Sequence, residues 1–324
     1  METAVKRASI LGCDLLIVDG NEEFSRLFLR EAVAMNASYQ GYPLGTPMGR
    51  AFTVMAAAKV LQESEGSEKT IIHGCVANQN TLKRIERLAS LFGLKTYAPF
   101  VAMKPIAREE KCELLREHGV EINATDGYST DDNLWSRAIE GTALNEISKV
   151  VDEGRVFAHV KPVSQTPNEP CYVRLTFEQG RLAELDGRKA PLHEILVDLH
   201  RKGSEHGVGR IMVIEDTVFG EKIRDFYEAP ASKIVIEAHK LVEACVLKKE
   251  ERDEKEALDK AWGERVYAGE WLESETRQIA KRGWQLQRKV SGTVVLKLFK
   301  GNVEFMMGEI PHSRLRDAGS GMEH

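Results

Sequence analysis

Cysteine is sparse in this chain. The five residues Cys13, Cys75, Cys112, Cys171 and Cys245 are scattered, odd in number and nowhere spaced Cys-x-x-Cys. That spacing excludes a zinc-ribbon pattern and argues against a disulfide framework; reduced thiols of a cytoplasmic protein fit it. No apolar run approaches the roughly 20 residues of a membrane helix. The opening residues Met1 to Arg7 lack the apolar core of a signal peptide. Strong charge of one sign is also missing. The net charge is -5 and no polybasic arm stands out, so neither nucleic acid nor an anionic membrane is expected as a partner. Internal repeats and low-complexity tracts are absent too. What remains is an ordinary globular balance, 42% hydrophobic and 29% charged over 324 residues, long enough for two domains.

The first part of the chain alternates in type. Leu15-Leu16-Ile17-Val18, closed by Asp19-Gly20-Asn21, reads as a buried strand. Residues 22–37 have helical spacing, with Phe24, Leu27, Phe28, Ala32 and Met35 on one side. A helix over 48–61, a buried strand over 70–74, a helix over 78–92, a strand over 95–98 and a helix over 108–118 follow. Alternating strands and helices predict a parallel sheet with helices on both faces. The remainder changes character. Residues 172–177 and 181–185 flank Glu178-Gln179-Gly180 as a hairpin. A helix over 191–202, strands around 210–214 and 218–223, one helix over 233–261 and two closing strands within 291–307 complete an α+β half. The mixed charge run from Lys248 to Glu256 reads as a solvated helix face. The tryptophans Trp262, Trp271 and Trp284 read as helix-packing aromatics. Residues 152–170, with three prolines, form a connecting loop.

Five segments then stand out in order. Tyr42-Pro43-Leu44-Gly45-Thr46 precedes a helix, and His73-Gly74-Cys75 follows a strand. Tyr128-Ser129-Thr130-Asp131-Asp132-Asn133-Leu134-Trp135 precedes Ile139-Glu140-Gly141. His206-Gly207-Val208-Gly209-Arg210-Ile211 leads to Ile214-Glu215-Asp216 and Tyr227-Glu228-Ala229-Pro230. Ser291-Gly292-Thr293-Val294 comes with Lys300-Gly301-Asn302. Together they resemble the signatures of the argininosuccinate synthase family, in its order and near its spacing, over almost the whole chain.

The resemblance implies an ATP pyrophosphatase-like α/β domain, truncated, over 1–125, and an α+β synthase and multimerisation domain over 126–324. It implies ligation of citrulline and aspartate in arginine biosynthesis, with ATP and Mg²⁺ as cofactors. The family's opening Ser-Gly-Gly-x-Asp-Thr-Ser loop has no counterpart in this sequence, and its C-terminal tail is expected to be missing beyond Gly308. A phosphate loop from another polypeptide, or a homo-oligomer, is therefore expected as partner. Citrulline-binding positions of the family match Tyr42, Asn80, Arg84, Ser129, Glu215 and Tyr227. His73 and Gly74 match its nucleotide side; the catalytic residues stay unknown, and no metal ligand is expected. Arg84 and Glu215 are expected to face each other with room for one amino acid. The aspartate loop departs most: Val76, Ala77, Asn78, Gln79 and Thr81 stand where the family has Thr, Gly, Lys, Gly and Asp. A hydroxyl cannot replace a full charge there. The alternatives are a non-catalytic relative that binds a citrulline-like amino acid, or a ligase using another amine. For single residues the plain alternatives are a surface charge at Arg84, a turn cap at Glu215, packing at Tyr42 and Tyr227, and a structural histidine at His73.

Overall fold

The structure, a computed structural model, describes residues 2–65, 68–77, 79–103, 106, 108–120 and 128–315. It contains one parallel and two antiparallel sheets. The parallel sheet pairs β1 (Thr70–Ile72) with β2 (Lys95–Tyr97), Thr70 lying opposite Lys95. The helix Asn80–Leu91 crosses between them and packs on the helix Gly45–Glu63.

The second sheet, in the order β3-β4-β9-β8, joins β3 (Ser129–Asp132), β4 (Arg137–Glu140), β9 (Lys222–Glu228) and β8 (Arg210–Asp216). The third runs β11-β10-β5-β6-β7, from β11 (Asn302–Glu309) and β10 (Gly292–Phe299) through β5 (Cys171–Glu178) and β6 (Arg181–Leu185) to β7 (Arg188–Lys189). Strict alternation along β5 and β10 gives that sheet one buried face, where Val173 pairs with Leu296 and Leu175 with Val294. The helices Leu192–Glu205 and Pro230–Val246 pack against each other, and Pro230–Val246 contacts β10. Residues 21–34 form one helix with a π-turn at Ser25–Leu29. Their apolar stripe enters the same core: Phe28 stacks on Trp271 with ring centroids 4.5 Å apart. One apolar cluster therefore runs from Phe24 and Met48 to Leu88, Val173, Trp262 and Val294.

Several expectations need correction. Residues 15–18 are not a buried strand. They are irregular and open, with Leu16 65% exposed; among the described residues no strand pairs with them. An apolar run is buried only where a layer covers it. β1 is likewise half open, Ile72 being 71% exposed. The expected helix over 233–261 is two, Pro230–Val246 and Lys249–Tyr267. Leu247 and Lys248 turn extended, and the Glu251 carboxylate accepts the Lys248 N–H at 2.8 Å. That cap starts the second helix without glycine or proline to announce it. The strand placed at 218–223 lies at Lys222–Glu228, because Thr217 and Glu221 close a turn first. The charge run is not wholly solvated: Lys255 is 2% exposed and paired with Glu243 and Asp259. Among the described residues no helix is long and apolar enough to cross a membrane.

Candidate functional site

Five of the six expected substrate positions meet in one buried network. Asn80 and Arg84 sit one turn apart on the helix Asn80–Leu91 and so share a face. Asn80 accepts the Val218 N–H at 3.1 Å and donates to the Tyr267 hydroxyl at 2.9 Å. Arg84 donates from Nε to the Tyr267 carbonyl at 2.7 Å, and its guanidinium lies 4.7 Å from the centre of the Tyr267 ring. Gly269 permits this approach. It has φ +84°, and a Cβ there would stand 2.9 Å from Arg84 Cγ and 3.1 Å from its Cα.

The Tyr267 hydroxyl donates in turn to Glu215 at 2.9 Å. Tyr227 reaches the other Glu215 oxygen at 3.3 Å and Asp225 at 3.4 Å. One phenolic proton is shared between two carboxyls, an arrangement that favours a proton on one of them. Burial first, then the charges of Glu140 and Glu215, push Asp225 up to about 8. Burial pushes Glu215 up to about 7 against the Tyr267 hydrogen bond and the Arg84 charge. Aromatic packing closes the assembly. Tyr42 stacks on Tyr227 at 4.5 Å, Tyr39 stacks on Tyr267 at 3.9 Å, and the Tyr42 oxygen accepts the Thr46 N–H at 2.9 Å.

Arg84 and Glu215 are each 3% exposed. The expected space between them is filled by Tyr267, which touches both. Tyr267 ends a helix far from the motifs and carried no signal beyond its place before Ala268-Gly269. Asp225 was legible only as the neighbour of Tyr227 two residues along a strand, on the same face.

Ser129 does not enter the network. It stands opposite Glu140 in the β3–β4 register and lines a neighbouring cleft of about 390 Å³. His73, Gly74, Thr46 and Asp131 line the same cleft. The β3–β4 hairpin that forms one wall had no strand assigned from sequence. Gly45 lets the helix Gly45–Glu63 start hard against it, since a Cβ would fall 2.0 Å from Ser136 Oγ. The altered loop is closed by itself: the Val76 N–H donates to the Gln79 side chain at 3.1 Å.

Orphaned polar atoms occur in the network and along the cleft. Arg84 Nη2, Thr46 Oγ1, Arg50 Nε and both ring nitrogens of His73 are buried without a partner. Buried polar groups are nearly always hydrogen-bonded, so such a cluster marks a place where ordered water or a ligand completes the pairing. Among the described residues no group of three or more His, Cys, Asp or Glu is placed to hold a metal ion.

Family profiles match almost the whole chain. Residues 1–121 match the arginosuccinate synthase N-terminal HUP domain and residues 128–319 the arginosuccinate synthase C-terminal domain. The argininosuccinate synthase of Methanopyrus kandleri is 34% identical over 317 residues, 97% of this chain and 79% of the relative. That of Hyperthermus butylicus is 33% identical, covering 97% and 80%, and that of Rubrobacter xylanophilus 35%, covering 89% and 71%. A HUP-type α/β part with a parallel sheet, an antiparallel synthase part and two matched profiles lead to one conclusion: this chain belongs to the argininosuccinate synthase family.

Proposed function

We propose that this chain provides the amino-acid-binding site of an argininosuccinate synthase-type ligase. It would hold a citrulline-like amino acid at the cleft beside Arg84, Asn80, Ser129, Glu215, Tyr42 and Tyr227. The family joins citrulline and aspartate in arginine biosynthesis. The observation that carries the reading is convergence. Tyr42, Asn80, Arg84, Glu215 and Tyr227, spread from 42 to 227 in sequence, join one network through Tyr267, and in it Arg84 Nη2 lacks a partner. A guanidinium edge pairs a substrate carboxylate in bidentate fashion. Arg84 is held by its Nε and its ring contact, which leaves the buried Nη2 to pair with the ligand. The chemistry open to these residues is binding and orientation; a bound amino acid held this way presents its side chain to the cleft.

The family is ATP-dependent, and we propose Mg²⁺ with the nucleotide. The described cleft does not fit a triphosphate. Arg50 is held by Asp131 at 2.9 Å, and Glu140 faces the same space. Gly74 makes no cradle: a Cβ there would meet only Phe100, at an ordinary 3.9 Å. His73 and Gly74 therefore suit the edge of a nucleotide, and the phosphates need a loop beyond the described residues, from this protein or a partner chain. Division of the chain near residue 125 into a nucleotide side and a synthase side is part of the same reading, as is assembly into oligomers.

Calorimetric titration of L-citrulline into the full chain tests it. Saturable binding is expected, weakened by about tenfold or more in Arg84→Gln, since a charge-assisted bidentate pair is lost. Equal binding by both proteins, or none by either, would refute the assignment.

A further inference from the structure

A second cleft, of about 620 Å³, shares no lining residue with the one beside Arg84. Three elements build it: the helix over residues 21–34, the β5–β6 turn and the start of the helix Leu192–Glu205. The first brings Arg26 and Arg30, four residues apart and so on one face. The π-turn at Ser25–Leu29 spans this spacing, a distortion frequent at functional sites. The turn brings Arg181. Its place is fixed, because the Gly180 N–H donates to the Val290 carbonyl at 2.7 Å and the Gln179 N–H to the Ser291 hydroxyl at 2.8 Å. The Arg181 guanidinium lies 5.4 Å from the centre of the Trp284 ring, a contact that uses none of its N–H donors. The third element brings His193, whose Nδ1 is buried without a partner.

These cations are not neutralised. Among the described residues neither the Arg30 nor the Arg181 side chain has an ion pair or a hydrogen-bond acceptor. Arg26 reaches only Glu23, at 3.9 Å between two exposed side chains. Glu22 and Glu178 also line the cleft, but Glu178 is drawn to Lys189 at 3.6 Å. Burial first, then the charges of Arg181 and Arg26, hold Arg30 below the usual guanidinium value. Like charges gathered in one hollow destabilise the fold, and an anion between them relieves the repulsion.

We propose that this cleft is a binding site for a phosphorylated small molecule, with a phosphate group between Arg30 and Arg181. A phosphate monoester carries nearly two negative charges and three acceptor oxygens. It can therefore take a fork of N–H donors from each guanidinium at once, whereas a monocarboxylate matches only one. Arg26 adds charge, and the His193 imidazole adds a donor. Val33, Leu182 and Leu192 give an apolar wall for the organic part of such a molecule, in a volume of small-molecule size.

Titration calorimetry of the full chain with inorganic pyrophosphate, citrate and acetate in turn tests the site. Pyrophosphate is expected to bind saturably, about tenfold or more tighter than acetate, and to weaken as sodium chloride is added. Arg30→Gln and Arg181→Gln should each lose about tenfold in pyrophosphate affinity, since each removes a charge-assisted fork. Arg84→Gln should leave that affinity unchanged, because the two clefts share no residue. Absence of pyrophosphate binding, affinity unmoved by the Arg30 and Arg181 substitutions, or a loss seen in Arg84→Gln instead would overturn the proposal. Citrate binding tighter than pyrophosphate would overturn the choice of phosphate. Should Arg30→Gln fail to fold, Arg181→Gln decides alone.

Discussion

Two buried polar networks occupy this molecule, and they differ in one respect. The first joins Asn36, His239, Glu243, Lys255, Asp259 and Gln287. Asn36 donates to Glu243 at 2.7 Å and to Asp259 at 2.9 Å, and Gln287 donates to Glu243 at 2.6 Å. His239 meets the Asn36 and Gln287 oxygens at 2.7 and 2.9 Å, and Lys255 bridges Glu243 and Asp259. Each of its side-chain nitrogens and oxygens has a neighbour within hydrogen-bond distance, and the two His239 contacts are both hydrogen bonds when the ring is protonated. The second, around Arg84 and Glu215, leaves Arg84 Nη2 buried and unpaired. A complete network fixes the packing of helices. An incomplete one stores an imbalance that a ligand can relieve. Burial of charge is common to both networks; on the proposed reading, the unpaired donor is what sets the binding one apart.

The largest expected effect breaks the complete network. Lys255→Met leaves Glu243 and Asp259 buried without their cation and should cost about 3–5 kcal/mol in urea unfolding. Arg84→Met should cost less, about 1–2 kcal/mol, because Glu215, already near neutrality, can take up a proton instead.

A pH series sharpens the contrast. Glu215 and Asp225 are raised above their unfolded values, to about 7 and about 8. The folded state then binds more protons than the unfolded chain. The stability this confers is whole below the unfolded carboxylate range and is lost as pH rises through 7 and 8. The melting temperature should fall between pH 5 and pH 9, and Asp225→Asn should flatten that fall. A profile that rises with pH would contradict the assignment.

Smaller effects follow from the residues that hold the site together. Gly269→Ala forces a Cβ against Arg84 at positive φ and should cost about 1–2 kcal/mol, with citrulline affinity falling alongside. Tyr267→Phe deletes the hydroxyl between Asn80 and Glu215 and should cost about 1 kcal/mol. It should also raise the pH at which Glu215 ionises, since that hydrogen bond favours the charged form.

The antiparallel half was readable in sequence, because alternation along Cys171–Glu178 and Gly292–Phe299 reports a single buried face directly. Leu15–Val18 misled, since apolar character was read there as burial, although burial depends on what lies alongside. The break at Leu247 was illegible because a lysine backbone and a glutamate three residues on make the cap. Within the site, Arg84, Asn80, Glu215 and Tyr227 were visible through the family resemblance. Tyr267 and Gly269 were not, since their role is to fill and approach, which spacing does not encode. Lys255 was hidden inside a charge run whose neighbours are solvated.

Hydrogen exchange with and without saturating L-citrulline compares the two networks in one experiment. Protection should be confined to the helix Asn80–Leu91, the β3–β4 hairpin, β8–β9 and the Tyr267 end of the helix Lys249–Tyr267, with the helix Pro230–Val246 and the turns around Lys255 unchanged. Protection centred on Asn36, Glu243 and Lys255, or none anywhere, would contradict the division between a complete structural network and an incomplete binding one.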